Sequence, residues 1–294
     1  MRLLKFLTEG GNAVKDVVPI NAKNVKATLQ SIAKKLLPKL NLSYNEIKIL
    51  GSTGKKSTSS GDIDIALPID LIIKRNNLLT INDLLIFVDN IISQLYYDKK
   101  IMKGMNMISV AWPIEDIDKL QADQKVQVDL MFVDNVNWAA FVSHSPYDYE
   151  SKWKGIYRTG LLMCVAKFAD QKILKKQLDN EGNEIPVIWE RYILDKASGL
   201  QRVVQSILGK SGQITKAKKA LDRTVITQDP QIAVEILFGK NFKIEDMNSF
   251  ESIYNAIHRN DFLYKNELYN ILKEAAKFIH NNGYPLPNEL AKYI

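Results

Sequence analysis

The sequence IKILGSTGKKSTSSGDIDIALPID, from Ile47 to Asp70, has two apolar runs on either side of a loop rich in Gly, Ser, Thr and Lys. Short runs that contain β-branched residues and are bounded by turn-forming residues are typical of strands. We therefore predict strands over Glu46–Leu50 and Asp62–Leu67, joined by this polar loop.

The loop has a superficial likeness to the phosphate loop of ATPases. That motif requires Gly, four residues, and then Gly-Lys-Ser/Thr. Here Ile49 stands five residues before Gly54, and Lys56 follows Lys55, so the motif fails at two positions. A flexible surface loop is the alternative, and the residues that follow the loop favour a different kind of site.

Asp62 and Asp64 form an Asp-Ile-Asp sequence at the start of the second strand. Side chains alternate between the two faces of a strand, so both carboxylates lie on one face while Ile63 and Ile65 point into the core. Like charges this close repel each other unless a cation lies between them. The pair predicts a metal site, and two solvated aspartates on an edge strand are the alternative.

A third acidic residue lies in KVQVDLMFV, residues 125–133. Alternation predicts a strand in which Asp129 lies opposite the apolar face, and Met107–Ile114 alternates like a neighbouring strand. If the strand also lies beside Asp62–Leu67, Asp129 completes a cluster that can hold two Mg²⁺ ions about 3.5–4 Å apart, with Mn²⁺ as the alternative metal. One ion would activate an attacking hydroxyl, whose proton Asp129 would accept, and the other would bind a triphosphate.

The composition excludes several classes of protein. The chain has 294 residues, of which 46% are hydrophobic and 25% charged, as in ordinary globular proteins. Its one cysteine, Cys164, excludes a disulfide framework and a cysteine-based zinc cluster within this sequence. The opening MRLLKFLTEGG is too short and too charged for a signal sequence or a membrane span, so we expect a cytoplasmic protein without a membrane partner.

The net charge of +7 is unevenly distributed. Residues 1–50 and 151–294 each carry +6, whereas residues 51–150 carry −5. Basic flanks favour a polyanionic partner such as nucleic acid, although lysine-rich solvated surfaces are the alternative. One basic cluster surrounds a glycine-containing stretch and is a candidate to follow a phosphate backbone: Lys210, Lys216, Lys218, Lys219 and Arg223.

Helical spacing of apolar residues predicts a helix over Asn24–Leu37 and another of about five turns after Thr80, which forms a capping box with Asp83. After residue 150 the pattern becomes mainly helical, apart from a hairpin of Lys175–Leu178 and Val187–Leu194. We predict an α+β fold with a mixed β-sheet and flanking helices, followed by a mainly helical region that contains a β-hairpin.

These residues resemble the DNA polymerase β-type nucleotidyltransferase superfamily, which includes CCA-adding enzymes, poly(A) polymerases and oligoadenylate synthetases. The family pattern is a hydrophobic residue with Gly-Gly or Gly-Ser, a spacer, an Asp-x-Asp strand and a later carboxylate. Leu50-Gly51-Ser52, Asp62-Ile63-Asp64 and Asp129 match it in order. Some phrases, such as VDLMFVDNVNWAAF, also resemble uncharacterised nucleotidyltransferase-like proteins of large tailed bacteriophages.

The resemblance covers roughly residues 25–135 and implies a nucleotidyltransferase catalytic domain. With the change of pattern after residue 150, we expect this catalytic domain to span residues 1–150 and a separate, mainly helical domain to span residues 151–294. The resemblance also implies that Gly51 and Ser52 begin a short helix whose N–H groups hold the β and γ phosphates of an NTP. Lys154 and Arg158, four residues apart on one predicted helix, are candidates to bind the same triphosphate, and a solvated basic face is the alternative.

Three functions remain open at this point. The first is Mg²⁺-dependent transfer of a nucleoside monophosphate from an NTP to the 3′ end of a nucleic acid, with RNA favoured by the basic flanks. The second is the same transfer to a protein or a small molecule. The third is a catalytically silent nucleic-acid-binding module, against which the three intact carboxylates speak. The sequence carries no signal of oligomeric state.

Overall fold

A computed structural model describes residues 13–51, 53, 59–95, 97–117, 119–143, 153, 155–179, 181–209 and 211–294, without the side chain of Lys216. The chain divides into two compact units, Met1–Glu150 and Ser151–Ile294. Each unit has its own β-sheet and its own helices. Within the described part of the chain, no helix combines the length and the apolar character needed to cross a bilayer.

The first unit contains seven strands and four α-helices among its described residues. The strands are β1 (Ile20–Asn21), β2 (Lys48–Leu50), β3 (Ser59–Ser60), β4 (Asp62–Pro68), β5 (Lys99–Met102), β6 (Met107–Pro113) and β7 (Lys125–Val133). The helices are α1 (Ala22–Lys35), α2 (Ile69–Arg75), α3 (Ile81–Gln94) and α4 (Val136–Ser143). Short 3₁₀ helices span Leu37–Leu40, Tyr44–Glu46 and Lys103–Met105.

Five of these strands form one mixed sheet in the order β2-β4-β7-β6-β5, and β1 pairs with β3. The central strands β4 and β7 run parallel, whereas β2, β5 and β6 pair with antiparallel neighbours. The strands predicted around Asp62, Met107 and Lys125 are therefore present, and β7 lies beside both β4 and β6. This order places the Asp-Ile-Asp strand next to the strand that carries Asp129.

The sheet has a core on both faces. The larger core contains Ile63 and Val128 from the sheet, and Leu29 and Leu84 from helices α1 and α3. The smaller core lies on the other face. It includes Leu50, Ala66, Met107 and Met131 from the strands and Ala139 from α4. Because side chains alternate along each strand, the carboxylates of β4 and β7 share the face of the smaller core.

The helix predictions in this unit hold with small changes. Thr80 caps α3, its side chain accepts from the Asp83 N–H, and the Asp83 carboxylate accepts from the Thr80 N–H. The helix has 14 residues, which is about four turns instead of the predicted five. Helix α1 ends at Lys35, and Pro38 lies in the 3₁₀ helix that follows.

The second unit contains four strands and five α-helices among its described residues. The strands are β8 (Lys172–Leu178), β9 (Glu184–Asp195), β10 (Gly199–Leu208) and β11 (Ile214–Thr227). The helices are α5 (Gly155–Phe168), α6 (Pro230–Leu237), α7 (Phe250–His258), α8 (Leu268–Asn281) and α9 (Asn288–Ala291), with 3₁₀ helices at Ile244–Met247 and Lys265–Glu267.

The α+β prediction is confirmed, and the predicted hairpin is present as β8 and β9. The structure extends it by β10 and β11 into an antiparallel sheet of order β11-β10-β9-β8. The second unit is therefore α+β itself, and the description "mainly helical" is corrected. Register shifts along β10 and β11 interrupt the alternation by which a strand is detected, and the many lysines of β11 resemble a solvated surface.

Candidate metal centre

The three predicted carboxylates meet on one face of the first sheet. Asp64 of β4 is the register partner of Asp129 on the parallel strand β7, and Asp62 lies two residues before Asp64. One carboxylate oxygen from each of the three side chains lies within 4.8 Å of the other two. Asp129 is buried, and Asp62 and Asp64 are half-buried, so the cluster opens towards solvent on the β4 side.

This spacing fits a hard divalent cation. Oxygens on opposite sides of one Mg²⁺ ion are about 4 Å apart, since each lies at about 2.0–2.1 Å from the metal. A spread of up to 4.8 Å therefore needs only a small movement of the side chains to close on an ion. An all-carboxylate donor set selects Mg²⁺ or Mn²⁺ over softer metals. Asp62, Asp64 and Asp129 are the residues that would hold it.

Gly51 lies directly against the carboxylate of Asp64. Its φ of +66° is in the left-handed region that favours glycine. A Cβ at this position would lie 2.4 Å from Asp64 Oδ2, closer than any real contact. The end of β2 thus packs its backbone onto the carboxylate of Asp64, and only glycine permits both the turn and the approach.

Gln127, which was not among the predicted site residues, positions Asp129. Its side-chain Nε2 donates to both carboxylate oxygens of Asp129, at 3.0 and 3.1 Å, and both residues are buried. Its Oε1 accepts from the backbone N–H groups of Ala13 and Val14, at 2.8 and 3.3 Å. The amide therefore links the segment before β1 to the third carboxylate. Its place two residues before Asp129, on the same strand face, is the signal that could have found it.

Ser109 is a second residue of this face that was not predicted. It is fully buried on β6 and is the register partner of Asp129. Within the described residues, its hydroxyl has no hydrogen-bond partner. A buried hydroxyl without a partner is rare in proteins. The Ser109 hydroxyl is therefore a potential hydrogen-bond donor next to Asp129 on the same face of the sheet.

The remaining predicted residues of the loop are only partly described. Gly51 is described, whereas Ser52 lies outside the described residues, as do most residues of the loop after it. Thr53 is described and buried, and its hydroxyl donates to the backbone oxygen of Asp62 at 3.4 Å. The predicted contact of Gly51 and Ser52 with phosphates stays a prediction.

Arg158 and Lys154 belong to the second unit. Lys154 lies outside the described residues. Arg158 is only 4% exposed, and its Nε donates to the backbone oxygen of Met247 at 2.5 Å. Burial lowers the pKa of Arg158 to about 10. The solvated basic face offered as an alternative is therefore wrong for Arg158, because its own side chain is buried. Phosphate binding by this side chain stays a prediction and would require the hydrogen bond to Met247 to break.

Tyr157, the neighbour of Arg158, is a core residue. Its ring is buried, and its hydroxyl donates to the backbone oxygen of Pro285 at 2.8 Å. The ring therefore packs inside the second unit. Stacking of a nucleobase on this ring would require the ring to leave the core.

Comparison with known proteins gives a weak structural likeness. No protein-family model matches the chain, and no curated protein matches it. Two matching solved structures are Leishmania infantum polymerase beta, as a ternary P/T complex and as a ternary gap complex. The first has a TM-score of 0.40 and 12% identity over 78% of this chain and 76% of that chain. The second has a TM-score of 0.36 and 10% identity over 93% and 70%.

Both TM-scores and both identities are low. A function for this protein therefore has to be inferred from the carboxylate cluster, from Gly51 and from the distribution of charge.

Proposed function

We propose that this protein is a metal-dependent nucleotidyltransferase that moves a nucleoside monophosphate from an NTP to an acceptor hydroxyl and releases pyrophosphate. The observation that carries the proposal is the convergence of Asp62, Asp64 and Asp129 on one face of a mixed sheet. Three carboxylates so close together repel each other, and a divalent cation relieves that repulsion. A structural role does not require such an arrangement.

The carboxylates have different surroundings, which suggests different roles. Asp129 is buried and is held by Gln127 through both oxygens, so its orientation is fixed. A fixed carboxylate is suited to accept a proton from the attacking hydroxyl. Asp62 and Asp64 are half-buried and reach solvent, where a triphosphate would enter. Bound Mg²⁺ would lower the pKa of the hydroxyl and neutralise the charge of the phosphates.

Gly51 supports a nucleotide site next to the cluster. Its backbone packs against Asp64 without a side chain, so the loop after β2 begins beside a metal ligand. Backbone N–H groups of such a loop can reach phosphate oxygens that share the metal. This supports the predicted contact of Gly51 and Ser52 with the β and γ phosphates.

The favoured acceptor is the 3′ end of a nucleic acid, and RNA in particular. The support is the charge of +6 carried by each of the segments 1–50 and 151–294. A cytoplasmic location and a bacteriophage origin stay predictions from the sequence. Transfer to a protein or a small molecule is the competing hypothesis, and the acceptor has to be identified by experiment.

The test is incubation of the full chain with each of the four α-labelled NTPs, Mg²⁺ and total RNA, followed by separation of RNA, protein and small molecules. Label in RNA that disappears in Asp62→Asn and Asp64→Asn supports the proposal. Asp70→Asn is the matched control, because Asp70 is an exposed aspartate on the first turn of α2, outside the cluster. Label on protein or on a small molecule would support the competing hypothesis about the acceptor. Absence of label from every fraction, with Mg²⁺ and with Mn²⁺, would contradict the proposal.

A further inference from the structure

A second group of polar side chains lies on the sheet of the second unit. Trp189 and Arg191 are alternate residues of β9 and therefore share one face of its sheet. Gln205 of β10 is the register partner of Trp189, and Gln201 lies on the same face of that strand. Helix α5 packs on β9, and these four side chains are at least nine-tenths buried.

All four side chains carry polar atoms without partners. Among the described residues, no hydrogen bond reaches Trp189 Nε1, Arg191 Nε, Gln201 Oε1 or Gln205 Oε1. Buried polar atoms are nearly always satisfied in folded proteins, and each exception costs free energy. Four exceptions on one face of one sheet are therefore a specific feature of this unit. Together they offer two donors and two acceptors.

Arg191 is also a buried cation without an ion pair among the described residues. The charge of Glu274 of α8 acts on Arg191, but Glu274 forms its ion pair with Lys167. Burial lowers the pKa of Arg191, which reflects the cost of keeping this charge away from water. An unpaired buried guanidinium is stabilised by an anion that enters from outside.

Lys218 of β11 adds a second positive charge at the edge of the group. It lies two residues from Ala220, the register partner of Gln205, and so points to the same face. Its Nζ is 5.9 Å from the centre of the Trp189 ring, and Arg191 Cζ is 5.8 Å from that centre. Two cations thus flank one indole ring, and the Lys218 side chain is exposed. Although much of the side chain is open to solvent, partial loss of hydration and then repulsion by Arg191 lower the pKa of Lys218.

We propose that Trp189, Arg191, Gln201, Gln205 and Lys218 form a binding site for one nucleotide unit of a nucleic-acid strand. The phosphodiester would accept from Arg191, Lys218 and the indole N–H, and ribose hydroxyl or base amino groups would donate to the glutamine oxygens. A bare inorganic anion would leave the two glutamine oxygens unsatisfied. The basic charge of this unit favours a strand over a free nucleotide.

The site deepens the proposed function, because it rests on a nucleic acid as the acceptor. It is tested without metal or NTP, so its failure and the failure of the catalytic proposal are distinguishable. Loss of transfer in the carboxylate variants with unchanged strand binding leaves this site intact. Loss of strand binding in the variants below, with intact release of pyrophosphate, leaves the catalytic assignment intact.

The experiment measures fluorescence anisotropy of a short labelled single-stranded RNA with the full chain in EDTA. Arg191→Gln and Lys218→Gln are expected to weaken binding at least about tenfold. Lys218→Gln should also lower the slope of log affinity against log salt by about 1. Lys219→Gln is the matched control, since Lys219 is the exposed neighbour of Lys218 and pairs with Ser206 on the opposite face. Uridine monophosphate serves as the free-nucleotide competitor.

Thermal unfolding separates a ligand site from a structural role. Arg191→Gln removes an unpaired buried charge, so its Tm in the absence of RNA is expected to equal or exceed that of the wild type. Arg202→Gln is the contrast, because Arg202 lies on the other face and pairs with Asp170 at 2.8 Å and with Glu190. It is expected to lower the Tm and to leave RNA binding unchanged.

Three results would overturn the proposal. The first is unchanged RNA binding in Arg191→Gln and Lys218→Gln. The second is equal weakening by Lys218→Gln and Lys219→Gln, which would mean a general effect of charge. The third is displacement of the RNA by uridine monophosphate at comparable concentration, which would assign the site to a free nucleotide.

Discussion

Asp64 and Asp129 are register partners on the parallel strands β4 and β7, so their side chains emerge beside each other on one face of the first sheet. Asp62 joins them with one carboxylate oxygen within 4.8 Å of each. A bound cation should therefore stabilise the folded chain. Most of this stabilisation should require all three carboxylates.

Addition of Mg²⁺ is expected to raise the free energy of unfolding of the wild type by about 2.7 kcal/mol at a concentration 100 times the dissociation constant. Asp62→Asn should lose most of this gain. In EDTA the same variant should be at least as stable as the wild type, because one of three repelling charges has been removed. Urea unfolding with and without Mg²⁺ measures both effects. A full Mg²⁺ gain in Asp62→Asn would contradict the assignment of Asp62 as a ligand.

Gly51→Ala should damage the site from the backbone side. The added Cβ meets Asp64 Oδ2, and the φ of +66° is strained for alanine, at a cost of about 1–3 kcal/mol. We expect lower stability and loss of Mg²⁺ binding, measured by unfolding and by calorimetry. Gly104→Ala is the control, because nothing lies within 4 Å of its added Cβ and no positive φ is involved. Equal Mg²⁺ affinity in the two variants would show that the approach of Gly51 to Asp64 is unimportant.

Gln127→Leu should lower kcat while it leaves the KM for NTP nearly unchanged, because Asp129 loses the amide that orients it. Loss of activity of about 10–100-fold is the usual effect of removing such a partner. The N–H groups of Ala13 and Val14 should also exchange faster with solvent, since Gln127 Oε1 accepts from both. Steady-state kinetics and hydrogen exchange measure the two effects.

Gln121→Leu provides the control for this variant. Gln121 is also buried, accepts from the Asn21 N–H at 2.7 Å and donates to the backbone oxygen of Pro19 at 2.8 Å. Its loss should destabilise the unit without changing the kcat of the folded fraction. If Gln121→Leu and Gln127→Leu lower kcat equally, Gln127 has only a structural role.

The ion pair of Glu46 and Arg75 should contribute a pH-dependent stability. Hydrogen bonds from Arg75 at 2.6 and 2.9 Å, followed by those from Ser43, lower the pKa of Glu46 from 4.5 to about 2. The stabilisation is therefore fully present above pH 4.5 and is lost as the pH falls towards 2. The difference in Tm between the wild type and Glu46→Gln should shrink over this window. A difference that stays constant from pH 6 to about 2 would show that the charge of Glu46 is irrelevant.

Much of the first unit could be predicted from the sequence because its strands alternate regularly. The bounds of β7 match the predicted residues, and the shared face of Asp62 and Asp64 follows from the period of two. The alternation within a strand does not reveal which strand lies beside it. The predicted cluster of three carboxylates therefore depended on the assumption that β4 and β7 are neighbours. The contact of Gly51 with Asp64 and the bonds of Gln127 depend on that pairing, and they became visible only in three dimensions.

The second unit was harder to predict for two physical reasons. Strands β10 and β11 shift register, which disturbs the alternation, and the lysines of β11 suggested a solvated segment. For Arg158 the sequence suggested either a phosphate ligand or a solvated basic face, because charged residues are usually solvated. Its helix α5 is covered on several sides, and the helical period does not reveal such cover.

The most direct test of the central claim is release of pyrophosphate from NTPs by the purified chain, with total RNA as the source of acceptors and Mg²⁺ present. We predict release that requires Mg²⁺, that falls by at least about 100-fold in Asp64→Asn, and that is retained in Asp70→Asn. Release that Asp64→Asn and Asp70→Asn leave equally intact would contradict the claim that Asp62, Asp64 and Asp129 form a nucleotidyltransferase metal centre. Absence of release from the wild type with either Mg²⁺ or Mn²⁺ would also contradict it.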